Sequence, residues 1–207
     1  MTVSVIVPTY QRCRVLMDRC IPSIKAQTIT DWECHVVGDG TDEDTVAEMT
    51  ALCAQDPRFR FTNLPHDTYP EVWDIRWGLI GLTAINHGWD TARGEWITVI
   101  GDDDEYRPNH HEVLLAAAER TGADFVYGIS TTFKEGKDTG QEYGGWPPGD
   151  GAFAAYMFRT SLPYRFALDC WDRGHAGDAD LWYRMIEGGV KFHFEQVLVK
   201  NYHRNWP

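Results

Sequence analysis

Trp96-Ile97-Thr98-Val99-Ile100-Gly101-Asp102-Asp103-Asp104-Glu105 is the stretch on which the reading of this chain turns. Trp96 to Ile100 is a short apolar, β-branched run of the kind that forms a buried strand. It ends in a glycine and a cluster of acids. Carboxylates gathered at the end of a buried strand repel one another, and a divalent cation relieves that repulsion. Mg²⁺ binds through one or two carboxylates plus substrate phosphates. The cluster therefore points to chemistry on a phosphate-bearing substrate, against the plainer alternative of a solvated acidic turn.

Outward from this stretch, strand-like and helix-like segments alternate. Towards the N-terminus, Val3–Val7 reads as a strand stopped by Pro8. Leu16, Cys20 and Ile24 recur at helical spacing, with Pro22 placed to kink or shorten that helix. His35-Val36-Val37 is a second strand, Val46, Met49 and Cys53 mark a helix, and Phe59-Arg60-Phe61 is a third strand. Ile75, Leu79, Leu82 and Trp89 predict one longer helix before Trp96. Towards the C-terminus, His110-His111 opens a helix running past Val113 to Ala118, and Phe125-Val126-Tyr127 is a strand. Lys134–Gly151, rich in Gly and Pro, predicts a long loop, and Ala152–Arg159 a helical stretch. A further helix begins near Asp178 and stops at Gly188-Gly189, with short strands at Lys191–Phe194 and Val197–Val199. The alternation predicts a single α/β domain built as a doubly wound, mostly parallel sheet.

The totals narrow the function. The chain has 207 residues, 43% hydrophobic and 24% charged, which suits one domain with a sizeable core. A net charge of -12 argues against a nucleic-acid polymer as partner, because neutralising a phosphate backbone needs Lys and Arg. A nucleotide substrate stays possible, since a bound metal supplies positive charge locally. Five cysteines without Cys-x-x-Cys spacing fit reduced thiols and a cytoplasmic location better than a disulfide frame or a zinc site. No apolar run reaches membrane-spanning length, so any membrane contact is expected to be peripheral.

In open α/β sheets, ligands bind beyond the carboxyl ends of the strands. Pro8-Thr9-Tyr10, Asp39 and Asp102 to Asp104 all fall at such ends. In this arrangement the Asp39 carboxylate is placed to accept a hydrogen bond from a base N–H. A carboxylate of the cluster is placed to hold a metal on a diphosphate.

These residues resemble the family 2 glycosyltransferases of GT-A fold. Val5-Ile6-Val7-Pro8-Thr9-Tyr10-Gln11-Arg12 is similar to their first strand and loop, with Gln11 where Asn is common. Val37-Gly38-Asp39-Gly40-Thr41-Asp42 resembles V-D-D-G-S-x-D, whose second Asp contacts the base. Ala84-Ile85-Asn86-His87-Gly88, followed by Ala92-Arg93-Gly94-Glu95-Trp96-Ile97, resembles A-R-N-x-G and A-x-G-E-Y-I. Ile100-Gly101-Asp102-Asp103-Asp104 takes the place of the DxD element. Asp178-Ala179-Asp180-Leu181-Trp182 resembles E-D-x-D-L-W, whose first Asp is the catalytic base. Tyr202-His203-Arg204 resembles a C-terminal segment that often meets the diphosphate or metal. The likeness runs through nearly the whole chain in order. Four further positions depart from it: Gly38, Ile85, Gly101 and Gly177 replace Asp, Arg, Asp and Glu. Arg76 or Arg93 is available to make up for the arginine lost at Ile85.

The resemblance implies an inverting, metal-dependent transfer of a sugar, UDP-linked, to the hydroxyl of an unidentified acceptor. The donor half would be 1–104 and the half carrying acceptor and base 105–207. It makes Asp178 the catalytic base and places Pro8, Thr9, Tyr10, Arg12, Asp39, Asn86 and Asp102 against the donor. Asp103, Asp104 and His203 become the ligands of Mn²⁺ or Mg²⁺. Each has a plainer role beside this one. Asp39 suits an Asp-Gly turn, Asp178 a helix cap, and His203 a surface position. Trp73 and Trp77, four apart, suit core packing rather than a sugar platform. The competing functions are a sugar-phosphate nucleotidyltransferase, whose Gly-rich phosphate loop Pro8-Thr9-Tyr10 does not match, and a non-catalytic nucleotide-sugar or carbohydrate-binding module.

Overall fold

The computed structural model describes residues 2–145 and 155–204. One mixed sheet organises it, with strands in the order β3-β2-β1-β4-β8-β6-β9-β5 and β7 paired to β6. The first four are β1 (Val3–Thr9), β2 (Trp32–Asp39), β3 (Phe59–Leu64) and β4 (Trp96–Val99), all parallel neighbours. The remainder are β5 (Glu105–Tyr106), β6 (Phe125–Lys134), β7 (Lys137–Tyr143), β8 (Ala155–Arg159) and β9 (Phe192–His203). Because β1, β2 and β4 run parallel, Thr9, Asp39 and Asp102 leave the sheet at one edge, as the sequence predicts.

The helices cover both faces. α1 (Cys13–Val15), a π-helical turn at Leu16–Cys20 and α2 (Ile21–Lys25) form one helical run in which Pro22 sits at the start of α2. Proline has no N–H to return to the preceding turn, and the wider π turn absorbs that loss. α3 (Glu43–Gln55) is capped by Asp42, whose side chain accepts from the Thr45 N–H at 2.9 Å. α6 (His110–Thr121) and α7 (Gly177–Glu187) complete the second half.

Between β3 and β4 the predicted single helix is two, α4 (Trp73–Leu79) and α5 (Leu82–Asp90). The break is Gly81, which has φ 79° and lies against Pro8. A left-handed backbone there favours glycine, and the resulting corner lies against Pro8 near the end of β1. α5 buries Leu82, Ile85 and Trp89 in the same cluster as Ile6 of β1.

Two other expectations are corrected. Ala155–Arg159 is a strand, not a helix: Tyr156 and Phe158 join the core on one face of the sheet while Met157 joins the other. A short apolar run of this kind carries no period that separates strand from helix. Within the predicted loop, Lys137–Tyr143 is a strand hairpinned to β6 through Glu135 and Gly136, both at positive φ. The rest of that loop beyond Gly145 lies outside the described residues. β9 runs unbroken over the two short strands expected, with register shifts against β6 between Tyr127 and Ser130.

Buried histidines should make the fold acid-sensitive: His35, His110 and His111 are all held towards the uncharged form, and His35 and His111 set the scale. Burial lowers His35 to about 4, with Arg60 and His87 adding to the effect, and lowers His111 to about 3. His111 also has neither ring nitrogen hydrogen-bonded among the described residues. The unfolded chain takes up these protons near pH 6.5 while the folded chain resists, so stability falls as pH drops from there. At roughly 1.4 kcal/mol per pKa unit, the pair should cost on the order of 2–4 kcal/mol between pH 7 and pH 5. Urea denaturation at both pH values checks this, and His111→Leu should lose less than the parent.

Candidate active site

A cleft of about 470 Å³ opens at the carboxyl edge of the sheet, lined by Pro8, Thr9, Tyr10, Arg12, Asp39 and Asp102 to Asp104, with Asp178 on its wall. Of the seven residues expected at the donor, six line it. Asn86 does not. Its amide donates to the Phe166 carbonyl at 2.8 Å and accepts from the Phe166 N–H at 2.9 Å, so it positions Phe166, which does line the cleft. A side chain spent on backbone at both ends is a brace.

One end of the cleft holds the acidic cluster. Asp102 is buried and accepts from the Thr9 hydroxyl at 2.8 Å. Burial, helped by the neighbouring Asp103 charge, raises its carboxyl to about 6. Arg12 bonds Asp103 at 2.5 Å and approaches Asp102 at 3.5 Å, while Arg19 donates to the Asp103 carbonyl at 2.7 Å. The loop that delivers Arg12 passes through Gln11 at φ 49°. Asn tolerates that left-handed geometry better than most residues, which rationalises Asn as the common residue there.

Of the three residues expected to hold a metal, one stays a candidate and two are committed to other partners. Among the described residues, no group of three or more His, Cys, Asp and Glu side chains is gathered to hold an ion. A Mg²⁺ or Mn²⁺ held largely by diphosphate oxygens needs only one or two carboxylates. Asp103 fits, since it lines the cleft and already meets a cation in Arg12. Asp104 does not: it is buried, one oxygen pairs with Lys200 at 2.8 Å and the other accepts from the His203 N–H at 2.9 Å. Nor does His203, whose Nε2 lies 3.2 Å from Glu105 and whose ring stacks on Phe133. Side chains alternate along a strand, so β9 sends Lys200 and Tyr202 into the cleft and His203 away from it.

Asp39 stands at the other end and organises a segment that the sequence reading passed over. Its carboxylate accepts from the Asp67 N–H at 2.7 Å and from the Tyr69 hydroxyl at 2.6 Å. A carboxylate has about four acceptor sites, so capacity for a ligand N–H remains. His66 stacks on Tyr10 with ring centroids 4.6 Å apart. Only the aromatic and polar density of His66-Asp67-Thr68-Tyr69 signalled this in the sequence.

The third wall is helical. Trp73, Arg76, Trp77 and Ile80 recur at i, i+3, i+4 and i+7 along α4 and its end, and all line the cleft. Trp73 is 55% exposed and Trp77 37%, which overturns the core-packing expectation for the pair. α7 closes on this helix through Gly177, where a Cβ would lie 2.5 Å from Leu82 and 3.0 Å from the Gly78 carbonyl. The missing side chain lets the first turn of α7 approach and puts Asp178 on the cleft wall. Asp178 is not the helix cap, a position Ala176 holds. It sits in the first turn and accepts from the Ala179 N–H at 2.8 Å. Asp180 is fully committed to structure, bonded to Arg173 at 2.5 Å and Arg184 at 2.7 Å.

Comparisons with known proteins bear on the family and the fold. The profile of glycosyl transferase family 2 matches residues 4–186. A Campylobacter jejuni GalNAc(5)-diNAcBac-PP-undecaprenol beta-1,3-glucosyltransferase is 33% identical over 134 residues, covering 64% of this chain and 39% of its own length. Glycosyltransferase GlyG of Streptococcus pneumoniae is 29% identical over 133 residues, 64% of this chain and 40% of its own. The chain thus spans about two fifths of these relatives. Among solved structures, S. aureus TarS 1-349 in complex with UDP-GlcNAc superposes with a TM-score of 0.72 at 15% identity, covering 100% of this chain and 60% of that one. Mannosyltransferase PcManGT from Pyrobaculum calidifontis, in complex with GDP-Man and Mn²⁺, gives 0.65 at 14% identity, covering 96% of this chain and 56% of that one. These superpositions establish the GT-A fold, and the match over most of its length means that the chain belongs to glycosyl transferase family 2.

Proposed function

We propose that the protein transfers a sugar from a nucleoside diphosphate, UDP first, to an acceptor hydroxyl, with inversion at the anomeric carbon. The observation that carries this reading is the cleft itself. It brings Asp39 and Tyr10, the Arg12–Asp103 pair and the Asp178 carboxylate to the lining of one cavity. The relatives are named as glycosyltransferases and one structural neighbour as a mannosyltransferase, and two neighbours carry UDP-GlcNAc or GDP-Man with Mn²⁺. The two halves, 1–104 and 105–207, act as donor side and acceptor side of one domain. A cytoplasmic location fits the five free thiols, and no helix among the described residues is long and apolar enough to cross a membrane.

Asp39 holds the base through its remaining acceptor sites, and Thr9 fixes the Asp102 carboxyl beside the donor. A divalent cation held by Asp103 would offset charge on the departing diphosphate. Asp178 takes the proton from the attacking hydroxyl as general base. Trp73 and Trp77 offer exposed rings on which an acceptor sugar can stack, a use of aromatic side chains with both an apolar face and a polar edge.

Calorimetric titration with UDP in Mn²⁺, alongside a turnover assay with UDP-sugars, tests the reading. The parent should bind UDP, and Asp39→Asn should weaken that binding by about 1.5–3 kcal/mol, the worth of a charged hydrogen bond. Which metals support binding should not change, because Asp39 acts on the base. Unaltered UDP affinity would reduce Asp39 to a brace for the segment carrying Asp67 and Tyr69. Binding without turnover across a panel of acceptors would favour a binding module.

A further inference from the structure

A second cavity, of about 710 Å³, lies outside the cleft, where β5 pairs with β9 at the end of the sheet and α2 packs beside them. Arg19 of the π-helical turn and Arg107 after β5 both line it, and neither lines the cleft. A guanidinium carries five N–H donors. Arg19 donates to the Asp103 carbonyl at 2.7 Å, and Arg107 donates through Nε to the Asn201 side-chain oxygen at 3.1 Å. Among the described residues neither closes an ion pair with a carboxylate. In a chain with 31 acidic residues against 19 Lys and Arg, an acid partner is the expected fate of an arginine. Two arginines without one in a single hollow mark a place for an anion from outside. The carboxylates that share the lining are engaged elsewhere. Asp18 meets Arg14 at 3.4 Å on the surface, and Glu105 accepts from the Asn201 amide at 2.8 Å with His203 Nε2 at 3.2 Å.

We propose that this cavity binds a small organic phosphate, with Arg19 and Arg107 donating to the phosphate oxygens and the organic part lying on Pro22, Ala26 and Leu198. A phosphate monoester carries close to two negative charges at neutral pH, which two guanidiniums match, and their planar N–H pairs suit its oxygens. Asn109, the cap residue of α6, lies on the same rim, so the positive end of that helix adds attraction of the same sign. The volume decides against a bare anion. Cavities of roughly 300–1,000 Å³ hold whole small molecules, and a single phosphate group would leave most of this one empty. The site is separate from the donor cleft and does not rest on the donor reading. Its occupant would still sit against the loop that carries the acidic cluster, because Arg19 is bonded to the main chain of Asp103.

The experiment is calorimetric titration of the parent with phenyl phosphate, in chelator so that no metal takes part. Phenyl phosphate should bind, inorganic phosphate and benzoate should bind more weakly, and added salt should weaken all three. Arg107→Gln should weaken phenyl phosphate binding about 10–100-fold through the loss of charged hydrogen bonds, and Arg107→Lys should recover part of that loss. Ala26→Glu supplies an independent arm. It leaves both arginines in place and sets a carboxylate at an exposed position on the cavity lining, so it should weaken binding to a similar degree. Melting temperatures close to the parent's confirm that the variants fold. A parent that does not take up phenyl phosphate overturns the proposal. So does parental affinity in either Arg107→Gln or Ala26→Glu, which would put the ligand on another surface. Benzoate binding as tightly as phenyl phosphate overturns the assignment to phosphates. None of these outcomes depends on UDP, so the donor reading stands or falls apart from them.

Discussion

Asp178→Asn should leave UDP and Mn²⁺ affinity at parental values while sugar transfer falls by about 10²–10⁴-fold, the usual worth of a general base. The separation follows from where the carboxylate sits. Asp178 lies on the cleft wall in the first turn of α7, brought in because Gly177 has no side chain to collide with Leu82 and the Gly78 carbonyl. The cap of that helix is Ala176, and the helix is anchored by Asp180 through Arg173 and Arg184. Replacing Asp178 therefore removes a proton acceptor without removing what holds the helix. Asn keeps an oxygen for the Ala179 N–H, so the melting temperature should barely move. Transfer at the parental rate would rule Asp178 out as base. A matched fall in UDP affinity would mean that the residue serves donor binding instead.

The sheet edge was readable in the sequence because its strands are short, apolar and followed directly by polar residues. Val3–Val7, His35–Val37 and Trp96–Ile100 are buried on both faces, and their alternation with helical segments points to a parallel sheet covered by helices. Where the sequence misled, the cause was long-range. Ala155–Arg159 became a strand because a gap between β4 and β6 had to be filled, and no local period announces a gap. Asp104 and His203 carry the right chemistry for a metal. Their fate was decided by Lys200 and Glu105, which the fold of β9 brings against them from about a hundred residues away. Asn86 lost its ligand role to the Phe166 backbone for the same reason. Trp73 and Trp77 went the other way: helical spacing shows that two residues share a face, but not whether that face meets core or cleft.

The metal is the sharper test of how this acidic cluster works, because most of it is already neutralised. Lys200 answers Asp104, Arg12 answers Asp103, and burial with a raised carboxyl disfavours a full charge on Asp102 at mildly acid pH. An ion at this end must therefore take Asp103 from Arg12. In the parent, UDP affinity should rise with Mn²⁺. In Asp103→Asn that response should vanish, with UDP binding left at the value the parent shows in chelator. The expected loss exceeds the roughly 10–100-fold that removal of an outer-shell metal partner costs, since a direct carboxylate ligand is being removed. Arg12 is 40% exposed, and ion pairs of that kind contribute little to folding, so the variant should stay folded. Arg12→Ala supplies the complementary arm: with its competitor gone, Asp103 should bind Mn²⁺ alone more tightly than the parent does. If Asp103→Asn still couples UDP to Mn²⁺ as the parent does, the ion is held elsewhere, and Asp103 serves only to dock Arg12.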